Sequence, residues 1–320
     1  MEASSLPSHD DVLAAAVRIA PHAHVTPVLH SHSLDALAGA ELHFKAEHLQ
    51  RSGAFKFRGA CNAVWSLPPE QAARGVVTHS SGNHGAALAL AARTRGIACH
   101  VVVPEGAVAA KLANITRHGA TLWRCAPNIA AREAMCAQVQ ASTGAVLVHP
   151  YADAAVIAGQ GTAALELLGQ QPGLDTLVVP VGGGGLAAGT LLALRGAAPD
   201  SRLVLAEPAG AADTARSLAA GRRLVDFVPD TICDGLRGTL GEPNFALLRD
   251  AAEVIVVDDA AVVAAMRLLW QVLKQTVEPS SATVLAAVLA EPARFAGHRV
   301  GLLLSGGNID IDALPWTPVG

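Results

Sequence analysis

A chain of 320 residues has room for two domains of roughly 150 residues each. Apolar residues make up 51% of it and charged residues 16%, which excludes a disordered chain or a coiled coil; aromatics at 3% leave a core of Ala, Val and Leu. Twenty-three basic against 27 acidic side chains give a net charge of −4, with no basic excess or stripe for nucleic acid, so the expected partner is a small molecule.

The N-terminal stretch MEASSLPSHDD lacks a basic n-region and an apolar h-region, so no secretory signal is expected. The pairs His22/His24 and His30/His32 fall in a polar, Pro-containing segment without a cluster of carboxylates or cysteines, and read as solvated surface rather than metal ligands. From there a rhythm sets in: a short apolar run, a turn, then an Ala/Leu-rich stretch. Strands are expected at Glu41–Ala46, Gly75–Thr78, Cys99–Val103, Ala145–His149, Thr176–Val181, Arg202–Ala206, Val254–Val257 and Val300–Leu304. Helices are expected at Gly85–Thr94, Ile129–Ser142, Gly161–Gly169, Leu186–Arg195, Ala260–Lys274 and Ser281–Ala290. Such alternation implies βαβ units, hence parallel sheets with helices on both faces. So many strands fit two α/β domains with a cleft between them: a small domain at 75–150 inserted in a large one formed by 1–74 and 151–320. The uncharged run Thr176–Leu194 is long enough for a membrane span, but Pro180 and four glycines would leave its backbone unpaired in lipid. Five cysteines, an odd number with no CxxC pair, read as buried thiols of a soluble cytoplasmic protein.

Three loops carry the chemistry. Gly182, Gly183, Gly184 and Gly185 follow an apolar strand and open a helix; converging N–H groups and the helix dipole make an anion cradle there, most often for phosphate. Gly183, Gly185 and Ala188 also fit G-x-G-x-x-A with Glu207 about 20 residues on as a ribose-binding acid, which would make the protein an NAD-dependent oxidoreductase. Ser80, Ser81, Gly82, Asn83 and His84 run from a strand end into a helix and suit a carboxylate ligand, beyond what one N-cap needs. Ser305-Gly306-Gly307-Asn308 ends the last strand in the same way. Strand carboxyl ends are where open α/β sheets bind ligands, so the three loops are expected to face one site. Lys56, flanked by Phe55 and Phe57, is either a lysine snorkelling from an amphipathic turn or a desolvated amine able to form a Schiff base.

The segments SGAFKFRGA, SSGNHG, HPYADAAVIAGQGT, VGGGGLAAG, AEPAGAAD and LSGGNID, in this order and spacing, resemble the serine/threonine dehydratase and serine racemase family over about Val25–Asp312. The resemblance implies a pyridoxal-phosphate enzyme of the tryptophan-synthase-β-like fold, without an extra C-terminal regulatory domain. It implies that Lys56 carries the cofactor and removes the Cα proton, and that Phe55 packs beside the cofactor. Asn83 would bond the ring hydroxyl, Gly182–Gly185 the phosphate, and Ser305 would face the pyridine nitrogen. Ser80–His84 would hold the substrate carboxylate, and Ser81 would be the proton donor on the opposite face if the enzyme racemises. The implied reaction is elimination of water from a β-hydroxy amino acid, with racemisation or dehydration of 3-hydroxyaspartate as alternatives. Arg132 matches a family arginine that approaches a second substrate carboxylate; a surface helix arginine is the plain alternative. Arg51, Ala86 and Arg124 stand where animal racemases contact nucleotide, so activation by ATP is not expected.

Glu207 and Asp213 bracket a loop of small residues. With a loop carbonyl and water they form an all-oxygen set suited to Mg²⁺ or Ca²⁺; the resemblance implies the same site, with the carbonyl of Ala211 as the third ligand. A solvated acidic loop with Asp213 capping the next helix is the alternative. A homodimer is the expected assembly.

Overall fold

Ten strands are present among the described residues, 6–316, of this computed structural model; the N-terminal stretch scanned for a signal begins outside them. The strands are β1 (Val28–Leu29), β2 (Glu41–Lys45), β3 (Val76–Thr78), β4 (Cys99–Pro104), β5 (Thr121–Cys125), β6 (Val146–Leu147), β7 (Thr176–Pro180), β8 (Arg202–Pro208), β9 (Glu253–Val257) and β10 (Arg299–Leu303). Six form one sheet in the order β1-β2-β10-β7-β8-β9, parallel except for β1, and four form a parallel sheet in the order β5-β4-β3-β6. The architecture is two α/β domains.

Period-two alternation sorts the large sheet's side chains to its two faces. Val178, Val204, Ile255 and Leu302 pack under helices Asp259–Gln271 and Pro279–Ala290. Leu177, Val179, Leu205 and Leu303 pack under helices Ala154–Gln170 and Gly185–Ala197. Full burial of one such leucine contributes about 2 kcal/mol. The small sheet repeats the pattern: Val76 and Val101 face helix Asn83–Arg95, while Val77 and Val102 face helix Ile129–Thr143.

All eight expected strands and six expected helices are present. Ala154–Gln170 begins ahead of the expected Gly161 because the Asp153 side chain accepts the N–H groups of Ala155 and Val156 and starts the helix there. The sequence reading missed β1, only two residues long, and β5, whose residues are mostly part-exposed. It also missed helix His9–Ile19, started by a Ser8/Asp11 capping box, and helix Lys56–Ser66. The run Thr176–Leu194 is strand, loop and helix, and no described helix is long and apolar enough to cross a membrane. All five cysteines are buried and free.

His24, His30 and His32 are exposed, as a solvated surface segment requires, but His22 is part-buried and one pair is not without a carboxylate. His22 stacks on Trp65 with ring centroids 4.0 Å apart, and His30 and His32 do have a carboxylate beside them. One turn of helix His32–Ala38 brings Asp35 round to both.

Candidate active site

Lys56 is the first residue of its helix, directly after a turn in which Ser52 takes φ 62° and Gly53 φ 76°. That strained turn is held by the loop after β10. Asn308 Nδ2 donates to the Ser52 carbonyl (2.8 Å), Gly307 N to the Gly53 carbonyl (2.9 Å) and Phe55 N to the Ser305 carbonyl (2.9 Å). Ser305 is thereby buried beside the lysine segment. The Lys56 ammonium donates to the Pro150 carbonyl (3.0 Å) and lies 5.1 Å from the Phe55 ring centre. Burial pushes its pKa down to about 8, with the Glu278 carboxylate pulling the other way. The desolvated-amine reading therefore fits, and the snorkelling lysine does not.

Asn83 opens its helix at the β3 loop, and its amide reaches across the cleft. Nδ2 donates to both Glu278 oxygens (2.9 and 3.0 Å), and Oδ1 accepts from Asn308 Nδ2 (2.9 Å). Ser80, Ser81 and Gly82 are part-exposed at the mouth of this loop. His84 is buried behind them, its Nδ1 without a partner and its basicity lowered well below the usual imidazole range by burial, then by Lys56. Glu278 was missed in the sequence. It stands just before Pro279 at a helix start and looks like an ordinary first-turn acid, yet it is buried, and burial pushes its pKa up to about 7. A Cβ on Gly306 would lie 2.5 Å from Glu278 Oε1, so that glycine makes room for the carboxylate.

Gly182–Gly185 joins β7 to its helix, with Gly184 left-handed at φ 87°. Neighbouring groups press on the loop closely: a Cβ on Gly182 would sit 2.8 Å from the Leu236 Cα, and one on Gly183 would collide with the Tyr151 ring. The Gly183 carbonyl accepts from Gly241 N (3.1 Å) and Asn244 Nδ2 (2.5 Å). The cradle thus stands at a helix N-terminus, where the dipole favours an anion.

From Tyr151 a row of rings runs back toward the small domain: His149 at 4.6 Å and His79 at 5.1 Å from His149. Burial, with His79 and Lys56 adding to it, pushes His149 down to about 4, so the ring is neutral. His79 is lowered by burial and then by the charge of Arg132. The Arg132 Nε is itself buried without a hydrogen-bond partner, which a plain surface arginine would not show.

Glu207 and Asp213 are both buried, so the solvated acidic loop is ruled out. Glu207 accepts the N–H groups of Thr214 and Ala215 (2.9 Å each), and it is Glu207 rather than Asp213 that caps helix Asp213–Ala219. A carboxylate so placed cannot reach a ribose, which removes the dinucleotide reading of the glycine loop. Asp213 Oδ2 accepts from Leu240 N (2.8 Å), while its Oδ1 is buried without a partner. Burial pushes Glu207 up to about 7 and Asp213 up to about 6.

Lys56, Phe55, Asn83 and Ser305 are joined by these bonds into one cluster. The glycine loop meets it through Tyr151 and His149, and Arg132 through His79. Glu207 and Asp213 lie behind the glycine loop: the Leu240 held by Asp213 is the residue that a Cβ on Gly184 would meet, at 2.6 Å.

The profile of the pyridoxal-phosphate dependent enzymes matches residues 19–306. The β-hydroxyaspartate dehydratase of Paracoccus denitrificans (strain Pd 1222) is 48% identical over 312 residues, covering 97% of this chain and 99% of that one. Maize serine racemase superposes with a TM-score of 0.93 at 45% identity, covering 96% of this chain and 95% of the other. A T.th. threonine deaminase does so with a TM-score of 0.90 at 42% identity, covering 95% and 99%.

Proposed function

This chain belongs to the pyridoxal-phosphate dependent enzyme family, and we propose that it eliminates water from a β-hydroxy amino acid of the L-serine/L-threonine type, giving a 2-oxo acid and ammonia. The observation that carries this is the buried Lys56 amine, donating to the Pro150 carbonyl on a segment held by the Ser305–Asn308 loop, to which Asn83 is also bonded. When bound, the cofactor would supply an electron sink for charge formed at the substrate Cα. Gly182–Gly185 would hold its phosphate, Asn83 its ring hydroxyl and Ser305 its pyridine nitrogen, with Phe55 alongside. A serine hydroxyl cannot keep that nitrogen protonated as an aspartate would, and the weaker sink favours prompt loss of a β-hydroxyl. Lys56 would take the Cα proton, and the donors of Ser80–His84 would hold the α-carboxylate. Borohydride should fix a pyridoxyl group on the Lys56 peptide, and Lys56→Ala should lose it. A panel of β-hydroxy amino acids assayed for 2-oxo acid and ammonia tests the reaction; turnover confined to exchange of the Cα proton would favour the racemase reading, with Ser81 as second proton donor.

A second reading rests on Arg132. Its unpartnered Nε and its charge felt at His79 suit a second carboxylate, that of 3-hydroxyaspartate, and the Paracoccus relative carries that name. Arg132→Ala would then lower kcat/KM for 3-hydroxyaspartate at least about tenfold, the scale of one charged hydrogen bond, while sparing serine.

For the metal, the residues fit: two buried carboxylates close enough to repel, one oxygen of Asp213 unpartnered, and an all-oxygen donor set with the Ala211 carbonyl. We place Mg²⁺ or Ca²⁺ there, holding the loop that Asp213 and Leu240 press against Gly184. EDTA should lower the thermal midpoint and Mg²⁺ restore it; an Asp213→Ala protein that behaves like the parent in both would remove the site. We place the small domain at residues 75–150, and the buried thiols support a cytoplasmic location. Sedimentation of the holoenzyme reads the proposed homodimer.

A further inference from the structure

We propose that His30, His32 and Asp35 bind one divalent transition-metal ion of the zinc class, at a site separate from both the cofactor cleft and the Glu207–Asp213 pair. His30 directly follows the edge strand β1, and His32 and Asp35 lie on the short helix after it. His30 Nε2 stands 3.3 Å and His32 Nδ1 3.6 Å from the same oxygen, Asp35 Oδ2, and the three ligand atoms lie within 4.8 Å of one another. Ligands about 2.0–2.2 Å from a tetrahedral zinc ion stand about 3.3–3.5 Å apart, so both contacts are close to the edges of such a site.

The carboxylate is fixed in advance. Asp35 Oδ1 accepts from Leu42 N (2.9 Å), which leaves Oδ2 turned to the two imidazoles. The ring nitrogens lie within 4.8 Å of each other, and the His32 side chain, 98% exposed, is free to swing to meet an ion. His43 lies close, its ring 5.6 Å from that of His30, but its Nε2 sits 2.9 Å from Glu41 Oε1. Three protein ligands and an open position for water result. Two imidazoles and one carboxylate select zinc, nickel, copper or cobalt over Mg²⁺ and Ca²⁺, which prefer all-oxygen sets. The ion would clip the end of β1 to the following helix.

The test uses untagged holoenzyme stripped with EDTA and returned to excess Mg²⁺, titrated with Zn²⁺ by calorimetry and with Co²⁺ by visible absorption. The parent should bind one Zn²⁺ and give a low-symmetry Co²⁺ spectrum. His32→Ala, a change at a solvent-exposed side chain that cannot unfold the protein, should weaken Zn²⁺ more than about tenfold, since even outer-shell losses cost that much, and leave dehydration unchanged. Asp35→Asn should weaken it too. A parent that binds no Zn²⁺ over Mg²⁺, or a His32→Ala protein with the parent's affinity, overturns the assignment.

Discussion

Lys56 and Glu278 form a coupled pair, and their coupling has a direction. Burial depresses the lysine to about 8, and the glutamate's negative charge raises it again. A lysine depressed in this way destabilises the fold while it is charged, below about pH 8. That penalty is relieved as pH rises from 8 toward the 10.5 of an unhindered amine. Covalent capture of pyridoxal phosphate needs the neutral amine, so its rate on cofactor-free protein should climb through about pH 8 and then level off. Glu278→Gln removes the opposing charge while keeping a partner for Asn83, so the midpoint of that climb should move to lower pH, read by absorbance at the bound cofactor. A midpoint that stays put or rises would mean that the glutamate does not act on the lysine. Lys56 was only half legible: a charge between two phenylalanines left a snorkelling lysine and a desolvated amine both open, and the fold decides for burial. Glu278 was not, because an acid before a helical proline has an ordinary local explanation, and only the fold buries it against Asn83.

The elements meet through glycines. Helix Lys56–Ser66 crosses helix Ala154–Gln170 at Gly59 and Gly159, where a Cβ on Gly159 would sit 2.6 Å from the Gly59 Cα. Gln160 Oε1 accepts from Gly59 N (3.0 Å) at the same crossing. The next crossing, with helix Gly185–Ala197, places a Cβ on Gly161 2.5 Å from the Gly189 carbonyl oxygen. Because these helices carry Lys56 and the glycine loop, their spacing sets the distance between the amine and the loop proposed to hold the phosphate. Gly161→Ala should therefore cost about 1–3 kcal/mol by overpacking, seen as a lower urea midpoint, and should weaken cofactor binding as well. An unfolding midpoint equal to the parent's would show that the contact is slack. The periodicity that marks a helix was readable here, but the contact was not: in GQGTAAL nothing local says which neighbour lies against Gly161.

At the scale of the whole molecule, alternating strands and helices gave the two α/β layers, while the joint between them depended on residues far apart in sequence. Ser52 and Asn308 bond across almost the entire chain, and Asn83 meets Glu278 across the cleft. A second tie crosses there: Lys111, on helix Ala109–Thr116 of the four-stranded side, bonds Asp234 of the six-stranded side. Both side chains are about one-third exposed, so the pair adds at most about 1 kcal/mol to global stability. Its place matters more. Both charges act on Glu278, Lys111 lowering its pKa and Asp234 raising it, so the tie closes over the same carboxylate that faces Asn83. Lys111→Ala should leave the unfolding midpoint near the parent's yet raise KM several-fold, because the open cleft holds substrate less well. Asp234→Ala should do the same, and the double variant should be no worse than either single one, since both remove one interaction. The gap from the parent should narrow at high salt, where exposed charges are screened. If the two single effects add in the double variant, the pair is not a shared closure across the cleft.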